Sequence, residues 1–145
     1  MLKGIDPLIG PDLLLVLAEM GHGDEILVAD ANFPAAATAR HTPHGRVIRV
    51  DAPSPRVVEA ILTLFPLDDA LPDPVLSMQV VGDPDTVPET VRQTQPLIAA
   101  EGFGIAALER FDFYDRSRGC YAIVQSQDLR RFANFILRKG VIATS

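Results

Sequence analysis

The chain has 145 residues, 48% of them hydrophobic, with a mean hydropathy of +0.18 and a formal net charge of -6. That is apolar content for one folded domain with a core of its own, which excludes a disordered chain, and the acidic balance argues against a nucleic-acid partner. The longest apolar run, Leu13 to Ala18, is too short to span a bilayer, no basic-then-apolar leader opens the chain, and the single Cys120 allows neither an internal disulfide nor a multi-cysteine zinc site; a cytoplasmic protein with no membrane partner is expected.

Pro11 after Gly10 fits the first helical position, and Leu13, Leu14, Val16, Leu17 and Met20 give an apolar face to a helix over residues 11–20. Gly21 should end it in the left-handed conformation, and Gly23 frees the chain to hold His22 on a turn. Ile26 to Ala29 is a continuous apolar run of the kind found in strands covered on both faces. Asp30 then falls at the carboxyl end of that strand, where open α/β sheets place their ligands, so His22 and Asp30 are expected to share one crevice. The bland alternatives are a solvated histidine after a helix and an aspartate that merely forms a turn.

Residues 31–45 read as a loop with one helical turn, and Arg46 to Val50 as a second strand. Ser54-Pro55 opens a helix with Val57, Val58, Ile61, Leu64 and Phe65 inward and Pro66 as its stop. The proline-rich Leu67 to Pro74 is a surface connection to a strand at Val75–Val81. Thr86 and Glu89 have the spacing of a capping box for a helix through Ala100, which Pro96 should kink or divide near Thr94. Gly102 ends that helix, Ile105–Leu108 is a strand, Glu109 to Arg118 a short amphipathic helix and Cys120–Val124 another strand. In Leu129 to Arg138 the apolar residues fit a helical stripe, while Asn134 to Leu137 fits a short strand equally well. Alternation of this kind predicts a single α/β domain over residues 1–145, with a mostly parallel sheet between helix layers.

Three other patterns carry little weight. Gly102-Phe103-Gly104-Ile105-Ala106-Ala107 has the letters of a dinucleotide fingerprint, but it leaves a helix and enters a strand, the reverse of the required context. Pro43 separates His41 and His44, and no carboxylate or cysteine lies close by in sequence, so a solvated loop is expected there and no metal site. Arg130, Arg131, Arg138 and Lys139 read as a solvated face or a subunit contact.

The stretch from Met20 to Pro34, MGHGDEILVADANFP, resembles the amino-terminal signature of the family that contains L-fucose mutarotase and D-ribose pyranase. The likeness extends to Leu108-Glu109-Arg110-Phe111-Asp112-Phe113-Tyr114-Asp115-Arg116 and to Asn134-Phe135-Ile136-Leu137-Arg138-Lys139-Gly140-Val141, and it covers nearly the whole chain. Phe33-Pro34 and the segment from Arg110 to Arg116 resemble the mutarotase branch. The resemblance implies a three-layer α/β sandwich assembled into rings, often decamers, with sites completed across subunits, and it puts a strand at about Asn134–Arg138. It implies that His22 is the catalytic acid or base and that Asp30, Arg110 and Asn134 contact the sugar. One departure is clear: Phe132-Ala133-Asn134 stands where the mutarotases commonly show Tyr-Gly-Asn, so a phenolic hydroxyl is absent from the expected site.

The residue chemistry agrees with an isomerase acting on a small neutral monosaccharide. Interconverting anomers requires opening the hemiacetal ring, rotating the aldehyde and closing again, so one proton leaves the anomeric hydroxyl while another reaches the ring oxygen. That needs no metal or redox cofactor; an imidazole can make either transfer near neutral pH, help typically worth ~10²–10⁴-fold. His22 is expected to move the proton, Asp30 to orient the imidazole or bind a hydroxyl, and Arg110 and Asn134 to hold sugar oxygens. Tyr114 is either a further contact or proton donor, or an aromatic packed at a helix face. Two alternatives use the same residues: a pyranase exchanging pyranose and furanose rings, and a sugar-binding protein without catalysis.

Overall fold

The computed structural model describes residues 1–144. Six strands form one central sheet in the order β2-β5-β1-β6-β3-β4. They are β1 (Glu25–Ala29), β2 (Val47–Arg49), β3 (Val75–Met78), β4 (Ile105–Leu108), β5 (Ala122–Gln125) and β6 (Phe135–Arg138). The pairs β1/β5, β2/β5 and β3/β4 are parallel, whereas β6 runs antiparallel to both β1 and β3, with Glu25 opposite Arg138 and Val28 opposite Phe135. The sheet is therefore mostly parallel, as the alternation of elements predicts, with one reversed strand at its centre.

Helices α1 (Pro11–Glu19), α3 (Ser54–Leu62) and α4 (Glu89–Ala100) cover one face, and α2 (Ala35–Ala39) with α5 (Arg110–Arg118) covers the other. The period of two in β1 serves both layers. Ile26 and Val28 pack with Leu13, Val16, Val58 and Ile61, while Leu27 and Ala29 pack with Phe33, Ala35 and Phe113. All five residues of β1 are buried, which explains its unbroken apolar run. No helix among the described residues is long and apolar enough to cross a membrane.

Several local expectations are corrected. Gly21 is not left-handed; α1 leaves through Met20 in an extended conformation, and the positive φ falls on Gly23, at 88°. Lys139 explains the difference, because its Nζ donates to the carbonyls of Leu17, at 2.8 Å, and of Met20, satisfying helix-end acceptors without a glycine turn. The capping box at Thr86 and Glu89 does not form. Val87 precedes Pro88, which disfavours helical backbone at Val87, so the helix begins only at Glu89 and the Thr86 hydroxyl donates to Asp83 instead. Pro96 does not divide α4 into two elements: it lies on the exposed face, where water can serve the carbonyl it leaves unpaired. The strand expected over Val75–Val81 stops at Met78, and the one expected over Cys120–Val124 runs from Ala122 to Gln125.

The basic residues near the carboxyl terminus are not one cluster. Arg130 is bound to Asp128, Arg138 to Asp68, and Lys139 to the end of α1, each committed inside the fold.

Candidate functional site

The carboxyl ends of β1, β3 and β4 lie along one edge of the sheet, and the reversal of β6 brings its first residues to the same edge. Asp30 follows β1 and Asn134 precedes β6, which makes them neighbours although 104 positions separate them. The Asp30 amide donates to Asn134 Oδ1 at 2.8 Å, and Asn134 Nδ2 donates back to Asp30 Oδ2 at 3.0 Å. Asp30 Oδ1 accepts from the amide of Asn32 at 2.9 Å. Asp30 is 5% exposed and Asn134 3%. Burial pushes the Asp30 carboxyl above its ordinary range, against the hydrogen bonds from Asn32 and Asn134, which favour the ionised form.

Arg110 is the first residue of α5, directly after β4. Glu109 caps that helix by accepting from the amides of Phe111 and Asp112 at 2.9 and 3.2 Å. The guanidinium carbon of Arg110 lies 4.7 Å from the Phe111 ring centroid, and its buried Nε finds no hydrogen-bond partner among the described residues. A buried donor left without a partner costs free energy. One helical turn later Tyr114 follows on the same face, with its ring 5.5 Å from that of Phe33.

Phe132 completes this edge with an uncommon backbone. Its φ is 62°, a left-handed conformation that costs a bulky residue of order 1–3 kcal/mol. The chain just before it is clamped. Arg130 Nε and Nη2 donate to the two oxygens of Asp128 at 2.9 and 2.8 Å, and Asp128 also accepts from the Ser54 amide at 3.1 Å.

Together these residues line a cleft of 340 Å³, at the small end of the ~300–1,000 Å³ found for small-molecule sites. Asp30, Asn32, Arg110, Tyr114, Arg131 and Asn134 give it polar groups, and Phe33, Met78, Val81 and Phe132 an apolar wall. A ligand with several hydroxyls and one apolar edge matches both. All five residues expected to bind substrate, Asp30, Arg110, Tyr114, Phe132 and Asn134, meet here.

His22 does not join them. It lies before β1, at the amino edge of the sheet, with five strand residues between it and the cleft, roughly 17 Å at ~3.3 Å per residue. The expectation that one chain brings His22 and Asp30 into one crevice is therefore corrected: a strand buried on both faces runs straight, and its two ends point to opposite edges. Among its own surroundings His22 is well held. Nε2 lies 3.1 Å from Asp68 Oδ1, the imidazole is 54% exposed and Asp68 only 1%. The Ala70 amide, His22 and Arg138 all stabilise the carboxylate and hold Asp68 down at about 2. A hollow of 540 Å³ adjoins His22, lined by Leu14, Leu17, Leu64, Val141 and Ile142 among others. Its apolar lining suits a protein surface better than a sugar.

Asp68 was missed by sequence reasoning. It sits in a proline-rich connection 46 positions from His22, among several aspartates, and no spacing marks it out. Met78 and Val81 were missed because a strand end has no signal for facing a cleft.

A profile of the RbsD / FucU transport protein family matches residues 3–142. An L-fucose mutarotase of Haemophilus influenzae (strain 86-028NP) is 44% identical over 145 residues, covering 97% of each chain. An L-fucose mutarotase of Glaesserella parasuis is 44% identical over 146 residues, covering 97% of this chain and 96% of the relative. The crystal structure of a fucose mutarotase in complex with L-fucose from Streptococcus pneumoniae superposes with a TM-score of 0.87 at 41% identity, covering 98% of this chain and all of that one.

Proposed function

The chain belongs to the RbsD / FucU transport protein family, and from that membership we propose that it is an isomerase, a cofactor-independent mutarotase interconverting the α and β anomers of a monosaccharide such as L-fucose. The observation that carries this reading is the cleft itself, in which Asp30, Asn134, Arg110, Tyr114 and Phe132 converge. Asp30 and Asn134 hold sugar hydroxyls, and Arg110 donates to ring or hydroxyl oxygens. The apolar wall accepts a deoxy edge.

Proton transfer falls to His22, held by Asp68. As the ring C–O bond breaks, the imidazole takes the proton of the anomeric hydroxyl and hands it to the ring oxygen, so no net proton is consumed; rotation of the aldehyde and the reverse steps give the other anomer. Because His22 and the cleft occupy opposite edges of one chain, His22 of a second copy completes each cleft. The apolar hollow beside His22, with Val141 58% and Ile142 81% exposed, supports burial of that edge against another subunit. A ring-like homo-oligomer in the cytoplasm is the proposed working form.

Saturation-transfer NMR on L-fucose tests the reading. Wild type should speed exchange between the α and β signals, and His22→Ala should fold and self-associate yet lose that exchange. Exchange between ring sizes would make the protein a pyranase, and shifts without exchange would make it a binding protein only.

A further inference from the structure

We infer that Arg138 is a positioning residue for His22, fixing Asp68 so that the imidazole keeps its proton on Nε2 and turns Nδ1 to the sugar. The inference rests on the proposed role of His22. Its first support is that both oxygens of Asp68 are taken: Oδ1 by His22 Nε2 and the Ala70 amide, each at 3.1 Å, and Oδ2 by Arg138 Nε at 2.8 Å. Asp68 is 1% exposed, so no water competes for the carboxylate and its plane is set by these partners.

Arg138 is itself anchored. It pairs with Glu25 in the register of β6 on β1, its amide donates to the Pro74 carbonyl at 2.9 Å, and its carbonyl accepts from the Asp68 amide at 3.1 Å. Backbone and side chain of Asp68 are thus tied to one strand residue. Arg138 also reaches the turn that carries His22: a Cβ on Gly23 would lie 3.2 Å from Arg138 Nη2, so the guanidinium lies close against the bare Cα of the residue after the histidine. Gly23 holds φ at 88°, which aims the turn.

The tautomer follows from the acceptor. An ionised carboxylate only accepts, so the nitrogen facing it carries the proton, and in the neutral imidazole the lone pair is left on Nδ1. That nitrogen takes the anomeric proton. It is the same division of labour as in any base whose second nitrogen is fixed by an acceptor.

The test combines ¹⁵N-histidine NMR with anomeric exchange for wild type, Arg138→Gln and Arg138→Lys. Wild-type His22 should show the Nε2-protonated pattern. Arg138→Gln should show averaging between tautomers and a rate at saturating sugar reduced by roughly ten- to a hundredfold, a part of the ~10²–10⁴ that acid–base help supplies. Sugar affinity should hold, because Arg138 acts on the imidazole through Asp68 while Asp30, Arg110 and Asn134 of the neighbouring copy hold the sugar, and Arg138→Lys should restore most of the rate. Nδ1 protonated in wild type would overturn the inference. So would Arg138→Gln with wild-type tautomer and rate, or one whose rate and affinity fall together without rescue by lysine. If wild type catalyses no exchange, the functional reading fails, while the wild-type ¹⁵N pattern still decides the tautomer.

Discussion

Asn134 grips Asp30 at both ends, accepting from its backbone amide at 2.8 Å and donating to its carboxylate at 3.0 Å. Asn134→Ala would leave the amide without its partner in a site that is 3% exposed and remove one support of the carboxylate. An unmet buried donor costs ~1–3 kcal/mol, so the denaturant midpoint should fall by an amount of that order and sugar affinity should fall with it. Equilibrium unfolding and a sugar titration check both.

Asp30→Asn tests the same pair from the other side. Asp30 uses both carboxylate oxygens as acceptors, from Asn32 and from Asn134, and an amide offers only one oxygen, so its NH₂ must face a donor. Burial raises the Asp30 carboxyl, so its ionisation opposes folding once the pH exceeds its unfolded value, and the neutral amide removes that burden. The two effects offset in stability. Anomeric exchange should drop while the melting temperature moves by only a few degrees; unchanged exchange kinetics would take Asp30 out of the site.

Phe132→Tyr adds a phenolic hydroxyl to the cleft wall. The ring sits in the cleft wall at a φ of 62°, and tyrosine fits the same backbone. The added group should tighten fucose binding by one net hydrogen bond, roughly 0.5–1.5 kcal/mol, with little change in turnover. A rise in turnover at constant affinity would instead give the phenol a share in proton transfer.

Acid sensitivity follows from Asp68. Its folded value is about 2 against an ordinary 3.8, so between these values the unfolded chain binds more protons than the folded one. The stability that Asp68 contributes is complete above pH ~4 and is lost as the pH falls toward ~2. Asp68→Asn should flatten the dependence of unfolding free energy on pH in that window; an unchanged slope would mean the carboxylate is not linked to folding.

The parts of the fold that could be read in advance are those where a local pattern has one physical meaning. The run Ile26 to Ala29 reads as a strand covered on both faces, and Asp30 stands at its carboxyl end as that reading implies. The direction of β6 was not legible, since four residues with Phe135 and Ile136 at their start pair equally well either way, and only contact with β1 and β3 decides. That direction is what brings Asn134 beside Asp30. The pairing of His22 with Asp68 was hidden for the same reason: neither residue carries a local mark of the other. Chemistry-bearing residue types could be found one by one, but which edge each occupies is a property of the assembled sheet.

The four residues of β6 connect the two edges, with Asn134 just before them and Arg138 as the last. A contact that brings one chain's imidazole edge to another chain's cleft edge joins unlike surfaces, and such a contact has polarity: each subunit gives to one neighbour and receives from the other. An open row of subunits would leave an idle cleft at one end and an idle histidine at the other, whereas a closed ring wastes neither. Two impaired variants should then repair each other. In an equal mixture of His22→Ala and Asn134→Ala, reassembled at random, about a quarter of the contacts would join an intact histidine to an intact cleft.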